Sequence, residues 1–143
     1  MISARSRKSD SLLFVYGTLR SFTGSTIALW LRERAMPAGR ARTLGRLYDL
    51  GAYPGMIAAR RRRDWVTGEL YRLRRPRSTL RTLDSYEAGS AGRGKPRFVR
   101  VRRIVEIDGT ATPAWVYLYS RPISPRARIH EGDYDRRVGG TYS

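Results

Sequence analysis

Cysteine is absent from this chain, and histidine occurs once, at His130. The first absence removes disulfide frameworks, thiol nucleophiles and Cys-zinc sites. His130 lies in a polar stretch with no cysteine nearby and reads as a solvated side chain, not a ligand. Lysine is nearly missing as well: 27 arginines stand beside only Lys8 and Lys95. No apolar run, such as Leu12 to Tyr16, approaches the length of a transmembrane span, so none is expected. The basic residues Arg5, Arg7 and Lys8 are not followed by the apolar core or small-residue cleavage site of a signal peptide, so the expected location is cytoplasmic. GxSxG, P-loop and GxGxxG patterns are all missing, which leaves hydrolase-elbow, NTPase and dinucleotide readings without support.

What the chain has in excess is positive charge, +17 over 143 residues. Such a balance attracts nucleic acid. Yet the arginines are scattered, and only Arg60 to Arg63 form a run. No zinc-finger spacing or RNP-type signature accompanies them. The charge is read as a dispersed solvated surface with, at most, non-specific affinity for nucleic acid.

The length suits one domain, expected over residues 12–135 between a flexible N-terminal segment at 1–11 and a flexible tail at 136–143. Leu12 to Tyr16 reads as a buried strand ending at Gly17, which permits positive φ and close backbone approach. The N–H groups of Gly17, Thr18 and Leu19 could line a concave, anion-accepting loop. Ser25 or Thr26 caps a helix whose Ile27, Trp30, Leu31 and Arg34 share a face, with Pro37 and Gly39 ending it. Arg40 to Leu50 reads as one strand, Pro54-Gly55 as a type II turn, and Arg60 to Asp64 as a hairpin tip. Trp65 to Leu73 is a strand with Gly68 as a bulge or close-approach point. Pro76 and Ser78 open a second helix stopped by Gly89. Ser90 to Pro96 is a flexible loop, Arg97 to Ile107 an alternating strand, and Asp108-Gly109 a hairpin turn into a strand at Ala114 to Ser120. Ile129 to Arg137 is a polar tail. This order predicts an α+β class: a compact single domain with a mixed, barrel-like sheet and two main helices.

On the second helix Leu80, Leu83, Asp84 and Glu87 fall on one face, so two apolar side chains and two carboxylates lie together. Glu87 is near the C-terminal end, where the macrodipole disfavours a carboxylate; partial burial beside Tyr86 would raise its pKa further. It is the candidate acid/base, with an ordinary surface glutamate as the alternative. Asp84 is either its partner carboxylate or an ion pair with Arg81 or Arg100. Tyr16 and Tyr53 can donate hydrogen bonds to a ligand or serve as core with a wet tip. Arg20 can pair with a ligand carboxylate or cap a loop.

In order along the chain, Val15-Tyr16-Gly17-Thr18-Leu19-Arg20, Tyr53-Pro54-Gly55, Gly68-Glu69-Leu70-Tyr71, Leu83-Asp84-Ser85-Tyr86-Glu87, Ala114-Trp115-Val116-Tyr117 and the segment Ile129 to Tyr134 resemble the gamma-glutamyl cyclotransferase-like family, its small bacterial members in particular. Two departures stand out. Phe98 occupies a position where many relatives have tyrosine, and Ala88 separates Glu87 from Gly89. The resemblance implies a small barrel with one cavity, floored by the Tyr16 to Leu19 loop, and Glu87 as catalytic acid/base. Tyr16, Gly17, Thr18, Leu19, Arg20, Tyr53 and Phe98 would then be substrate-binding. It also implies a reaction without metal or cofactor, in which the α-amine of a γ-glutamyl amine or peptide attacks its own γ-carbonyl and releases an amine and 5-oxoproline. The alternatives are a non-catalytic binding module of the same fold, for a small anionic ligand or an acidic partner, and nucleic-acid binding through runs such as Arg60 to Arg63.

Overall fold

The computed structural model describes residues 10–20, 24–89 and 96–134. Residues 1–9 of the flexible segment expected at 1–11, residues 90–95 of the loop expected at Ser90 to Pro96, and the tail expected at 136–143 lie outside these residues. Asp10 and Ser11 are held: Trp115 Nε1 donates to the Asp10 carbonyl at 3.0 Å, and the Leu73 N–H to that of Ser11 at 2.7 Å.

β1 (Leu12–Val15) is short, and it is buried on both faces. Leu12, Phe14 and then Tyr16 point into one apolar cluster, whereas Leu13, Val15 and then Leu19 point into another. Strand alternation explains why this stretch has no polar position: each side needs an apolar residue. After β1 come α1 (Thr26–Arg32), β2 (Ala35–Leu44), β3 (Arg46–Asp49), β4 (Pro54–Ile57) and β5 (Trp65–Leu73). Then follow α2 (Pro76–Ala88), β6 (Phe98–Ile107), β7 (Thr110–Tyr119), a 3₁₀ turn at Pro125–Ala127 and β8 (Arg128–Ile129).

The strands β1-β5-β2-β6-β7 form a closed barrel. Its pairs are antiparallel except for β7 against β1, which closes it in parallel at Leu13 and Trp115. A second, antiparallel sheet has the order β4-β3-β8. Its Leu47, Met56 and Ile129 join residues from all five barrel strands in the inner cluster. The outer cluster lies between the barrel and the helices, with Leu31 of α1 and Leu80 and Leu83 of α2. The predicted α+β class with a barrel-like sheet is the one observed. No described helix is long and apolar enough to cross a membrane.

Several local expectations fail for identifiable reasons. Pro37 and Gly39 do not end the first helix; α1 stops at Glu33, and both residues lie in β2, where they flank a register shift against β5. A bulge tolerates proline's missing N–H, and Gly39 takes φ of 128° there. Arg40 to Leu50 is two strands, because the chain leaves the barrel for the second sheet at Gly45. Pro54-Gly55 is not a type II turn. Both residues belong to β4, an edge strand that can accept a proline, and the positive φ, 100°, falls at Gly51. Arg60 to Asp64 bridges the two sheets and is no hairpin tip. The Asp64 carboxylate accepts from the Arg60 and Arg61 N–H groups, each at 2.9 Å, and from Arg46 Nε at 2.8 Å. Hydrogen bonding from Arg46, ahead of the two main-chain donors, holds that carboxyl far below the usual carboxylate range.

The segment read as a polar tail, inside the expected domain up to residue 135, packs against the barrel. Ile129 is 3% exposed, and so is Asp133, whose carboxylate accepts from Arg20 Nη1 at 2.8 Å and Arg40 Nη2 at 3.0 Å. The Thr67 N–H donates to the Gly132 carbonyl at 2.7 Å. Up to Tyr134 this segment is strapped to the barrel.

Gly68 makes the expected close approach without a bulge: a Cβ there would lie 2.2 Å from the Val15 carbonyl oxygen and 2.7 Å from the Phe14 ring. Gly68→Ala therefore forces β1 and β5 apart. It is expected to lower unfolding free energy by at least about 2 kcal/mol, read as a lower denaturant midpoint.

Candidate active site

The end of β1 delivers its loop to one side of a cavity of about 230 Å³. A turn follows the strand, with the Arg20 N–H donating to the Gly17 carbonyl at 2.9 Å. Gly17 is required for space here, not for positive φ: a Cβ would meet Pro54 Cγ at 2.5 Å. The ring of Pro54 thus closes directly on the loop. Ser25, the N-cap of α1, fastens the other side. Its hydroxyl donates to the Thr18 carbonyl at 2.7 Å and accepts from the Ala28 N–H at 3.2 Å.

Gly17, Thr18 and Leu19 line the cavity, with Tyr16, Tyr53, Phe98 and Glu87. The structure therefore brings together seven of the eight site residues expected from sequence. Tyr16 contributes its ring. Its hydroxyl donates to the Tyr117 carbonyl at 2.5 Å and accepts from the Met56 N–H at 3.2 Å, so both roles are taken by the protein. Burial, with the Glu87 charge adding to it, raises the Tyr16 pKa and keeps that phenol protonated. Phe98 is packed edge-on between Tyr53 and Tyr119, at ring separations of 5.8 and 5.4 Å.

Arg20 is the exception. It does not line the cavity; its side chain runs the other way, to Asp133 and towards Glu69. A buried guanidinium needs a carboxylate partner, and the strapped C-terminal segment supplies it. Asp84 also faces away from the cavity. Arg100 grips it with two bonds of 2.9 and 3.1 Å, and the Tyr117 hydroxyl donates to it at 2.7 Å. It is the structural ion pair, not a partner carboxylate to Glu87. His130 is exposed.

Glu87 occupies the last turn of α2, half-buried and turned to the cavity. Desolvation pushes its carboxyl up to about 7, with the nearby positive charge of Arg97 holding it back somewhat. Near neutral pH the group thus exists in both protonation states, as a residue that must take and return a proton requires. Arg97 is the charged cavity residue that sequence reasoning missed. It precedes β6, and its N–H donates to the Ala88 carbonyl at 2.9 Å, which places it at the C-terminal end of α2. Arg97 Nη1 donates to the Tyr53 hydroxyl at 3.3 Å. A local signal existed: an arginine opening an apolar strand. The long-range return to Ala88 could not be read from it.

A family model described as gamma-glutamyl cyclotransferase, AIG2-like, matches residues 13–136. The Escherichia coli K12 gamma-glutamylcyclotransferase family protein YtfP is 30% identical over 122 residues, covering 85% of this chain and 94% of YtfP. A Vibrio cholerae protein whose name assigns it provisionally to gamma-glutamylcyclotransferase is 34% identical over 132 residues, 89% of this chain and 97% of its own. Among solved structures, the mouse AIG2-like protein superposes with a TM-score of 0.66 at 23% identity, covering 87% of this chain and 88% of that one. YkqA of Bacillus subtilis superposes with a TM-score of 0.70 at 23% identity; the match covers 93% of this chain but 43% of YkqA.

The elevated Glu87 carboxyl has a consequence for stability. Its folded pKa lies above the unfolded value of 4.5, so the folded state holds a proton that the unfolded state has lost between about pH 4.5 and 7. Stability falls as pH rises through that window, and the full penalty applies above it. Glu87→Gln removes the penalty. The variant is expected to match wild type near pH 4 and to exceed it at pH 8 by up to about 3 kcal/mol, measured by urea unfolding at both pH values.

Proposed function

Because the chain belongs to the gamma-glutamyl cyclotransferase, AIG2-like family, we propose that it is a cofactor-independent cyclotransferase acting on a small γ-glutamyl substrate, with Glu87 as its general acid/base. The observation that carries this reading is the cavity itself: Glu87, its carboxyl pushed up to about 7 by burial, lines the same space of about 230 Å³ as Gly17, Thr18 and Leu19.

The nucleophile belongs to the substrate. Glu87, ionised, takes a proton from the substrate's α-ammonium, and the freed amine attacks the γ-carbonyl carbon. The new C–N bond closes a five-membered ring, and the electron pair of the carbonyl moves to oxygen. The N–H groups of Gly17, Thr18 and Leu19 stabilise that oxyanion or hold the substrate's α-carboxylate. As the carbonyl reforms, the bond to the original amide nitrogen breaks, and Glu87 returns its proton to the departing amine. Glu87 then takes the second proton, from the ring nitrogen, and passes it to the released amine, so that two protons leave the α-nitrogen and two arrive on the leaving nitrogen. Confinement of the amine beside the carbonyl supplies proximity, worth several kcal/mol of barrier. A side chain that alternates between acid and base works best with its pKa near the working pH.

The test is release of 5-oxoproline from a panel of γ-glutamyl amino acids and γ-glutamyl amines. Glu87→Gln is expected to lower kcat by about 10²- to 10⁴-fold. Wild-type kcat/KM is expected to fall below pH of about 7 with the slope of one proton, because the ionised carboxylate starts the reaction. Full activity in the variant overturns the role of Glu87. Ligand affinity without release from any substrate replaces the enzyme with a binding module.

A further inference from the structure

Two of the described residues lining the cavity carry charge, and they are Glu87 and Arg97. At least eight other arginines among the described residues, from Arg20 to Arg128, lie within 4 Å of a carboxylate oxygen. Arg97 makes no such pair among the described residues, although Glu87 shares its cavity. Its guanidinium is nevertheless fixed. It lies over the Tyr53 ring at 5.0 Å, hydrogen-bonds the Tyr53 hydroxyl, and packs so closely on Gly89 that a Cβ there would be 3.0 Å from Nε. Nε is buried without a hydrogen-bond partner. A guanidinium held against the Tyr53 ring, near Glu87 but with no carboxylate oxygen of the described residues within 4 Å, is a preorganised receptor for a planar anion.

The cavity has a direction. Of its lining residues Phe14, Tyr16, Leu19 and Tyr117 are each no more than 6% exposed, while Ala52 and Tyr86 are exposed. Arg97 and Tyr53 are partly exposed, between these extremes. A γ-glutamyl group seated over the Gly17 to Leu19 loop places its α-amine and α-carboxylate deep and sends the leaving group outward. If that group is an amino acid, its carboxylate is one carbon from the scissile nitrogen. It then lies beside the carboxylate that serves this nitrogen, on the side where Arg97 stands.

We infer that Arg97 is the specificity-determining residue of this cavity, and that it selects γ-glutamyl amino acids and peptides, whose leaving amine carries a carboxylate, over γ-glutamyl amines that lack one. The inference rests on the cyclotransferase reading for its reaction, but the anion site can be measured without turnover. A charge-assisted pair of this kind favours the carboxylate-bearing ligand by about 10- to 100-fold.

Removing Arg97 also withdraws a charge that lowers the Glu87 pKa, which affects every substrate alike. The informative quantity is therefore a ratio. γ-Glutamylalanine and γ-glutamylethylamine differ only in the leaving-group carboxylate. In wild type, kcat/KM is expected to favour γ-glutamylalanine by about 10- to 100-fold, Arg97→Gln to bring the ratio near one, and Arg97→Lys to restore part of it. A wild-type ratio near one, or a ratio that survives Arg97→Gln, overturns the inference. If wild type releases 5-oxoproline from neither compound, the reaction reading fails on its own, and calorimetry with the same two compounds decides the site. Tighter binding of γ-glutamylalanine that disappears in Arg97→Gln supports the anion site; equal binding, or none, overturns it.

Discussion

Burial of β1 on both faces is the constraint on which the other parts depend. A four-residue strand with no solvated side must have a barrel on one side and a helical layer on the other. Val66, Val105 and Val116 fill the first requirement, and Leu31, Leu80 and Leu83 the second. Because the strand is pinned from both directions, the loop at its end is delivered at a fixed depth. Pro54 packs on the missing Cβ of Gly17 and Ser25 holds the Thr18 carbonyl, so the loop that lines the cavity is fastened at two consecutive residues. Glu87 then reaches the cavity because α2 packs on the outer face of the same barrel.

Local pattern made this much readable. The continuous apolar run of β1, the Ser25 cap, the Asp108-Gly109 hairpin turn and the glycine after α2 each reflect a short-range rule, whereas the expected alternation of β6 does not hold, with Val99 and Ile104 exposed. The failures share a cause, which is that backbone geometry imposed from afar overrode residue preference. Pro37 and Gly39 sit in a strand because β5 tolerates a bulge, and Pro54 does so because β4 is an edge. Within the site, Glu87 was legible from helix position and burial. Arg20 and Arg97 were not, since nothing nearby in sequence tells which of many arginines faces a cavity and which meets Asp133.

The arginine excess acquires a partial structural account. Arg34 stacks on Trp30, Arg42 on Trp65, and Arg100 and Arg102 on Trp115, at 3.9 to 4.7 Å from the ring centres. Arg46 and Arg128 share Asp64, while Arg20 and Arg40 share Asp133. A planar guanidinium can stack and fork to a carboxylate at once, as Arg42 does with Glu106 and Arg100 with Asp84. Lysine cannot substitute in these arrangements. The exposed run Arg60 to Arg63 has its backbone, not its charge, explained by Asp64.

The closure of the barrel bears on how the chain folds. Its sealing contacts join distant parts of the sequence: Tyr16 to Tyr117 across 101 residues and Arg20 to Asp133 across 113. Such pairings must overcome loop-closure entropy before they gain anything, which places topologies of this kind among the slower-folding small domains. During synthesis β1 must wait for β7 to emerge before its edge is covered. The wall that carries the Gly17 to Leu19 loop is made first, and its cavity is completed only after nearly all of the chain has been translated.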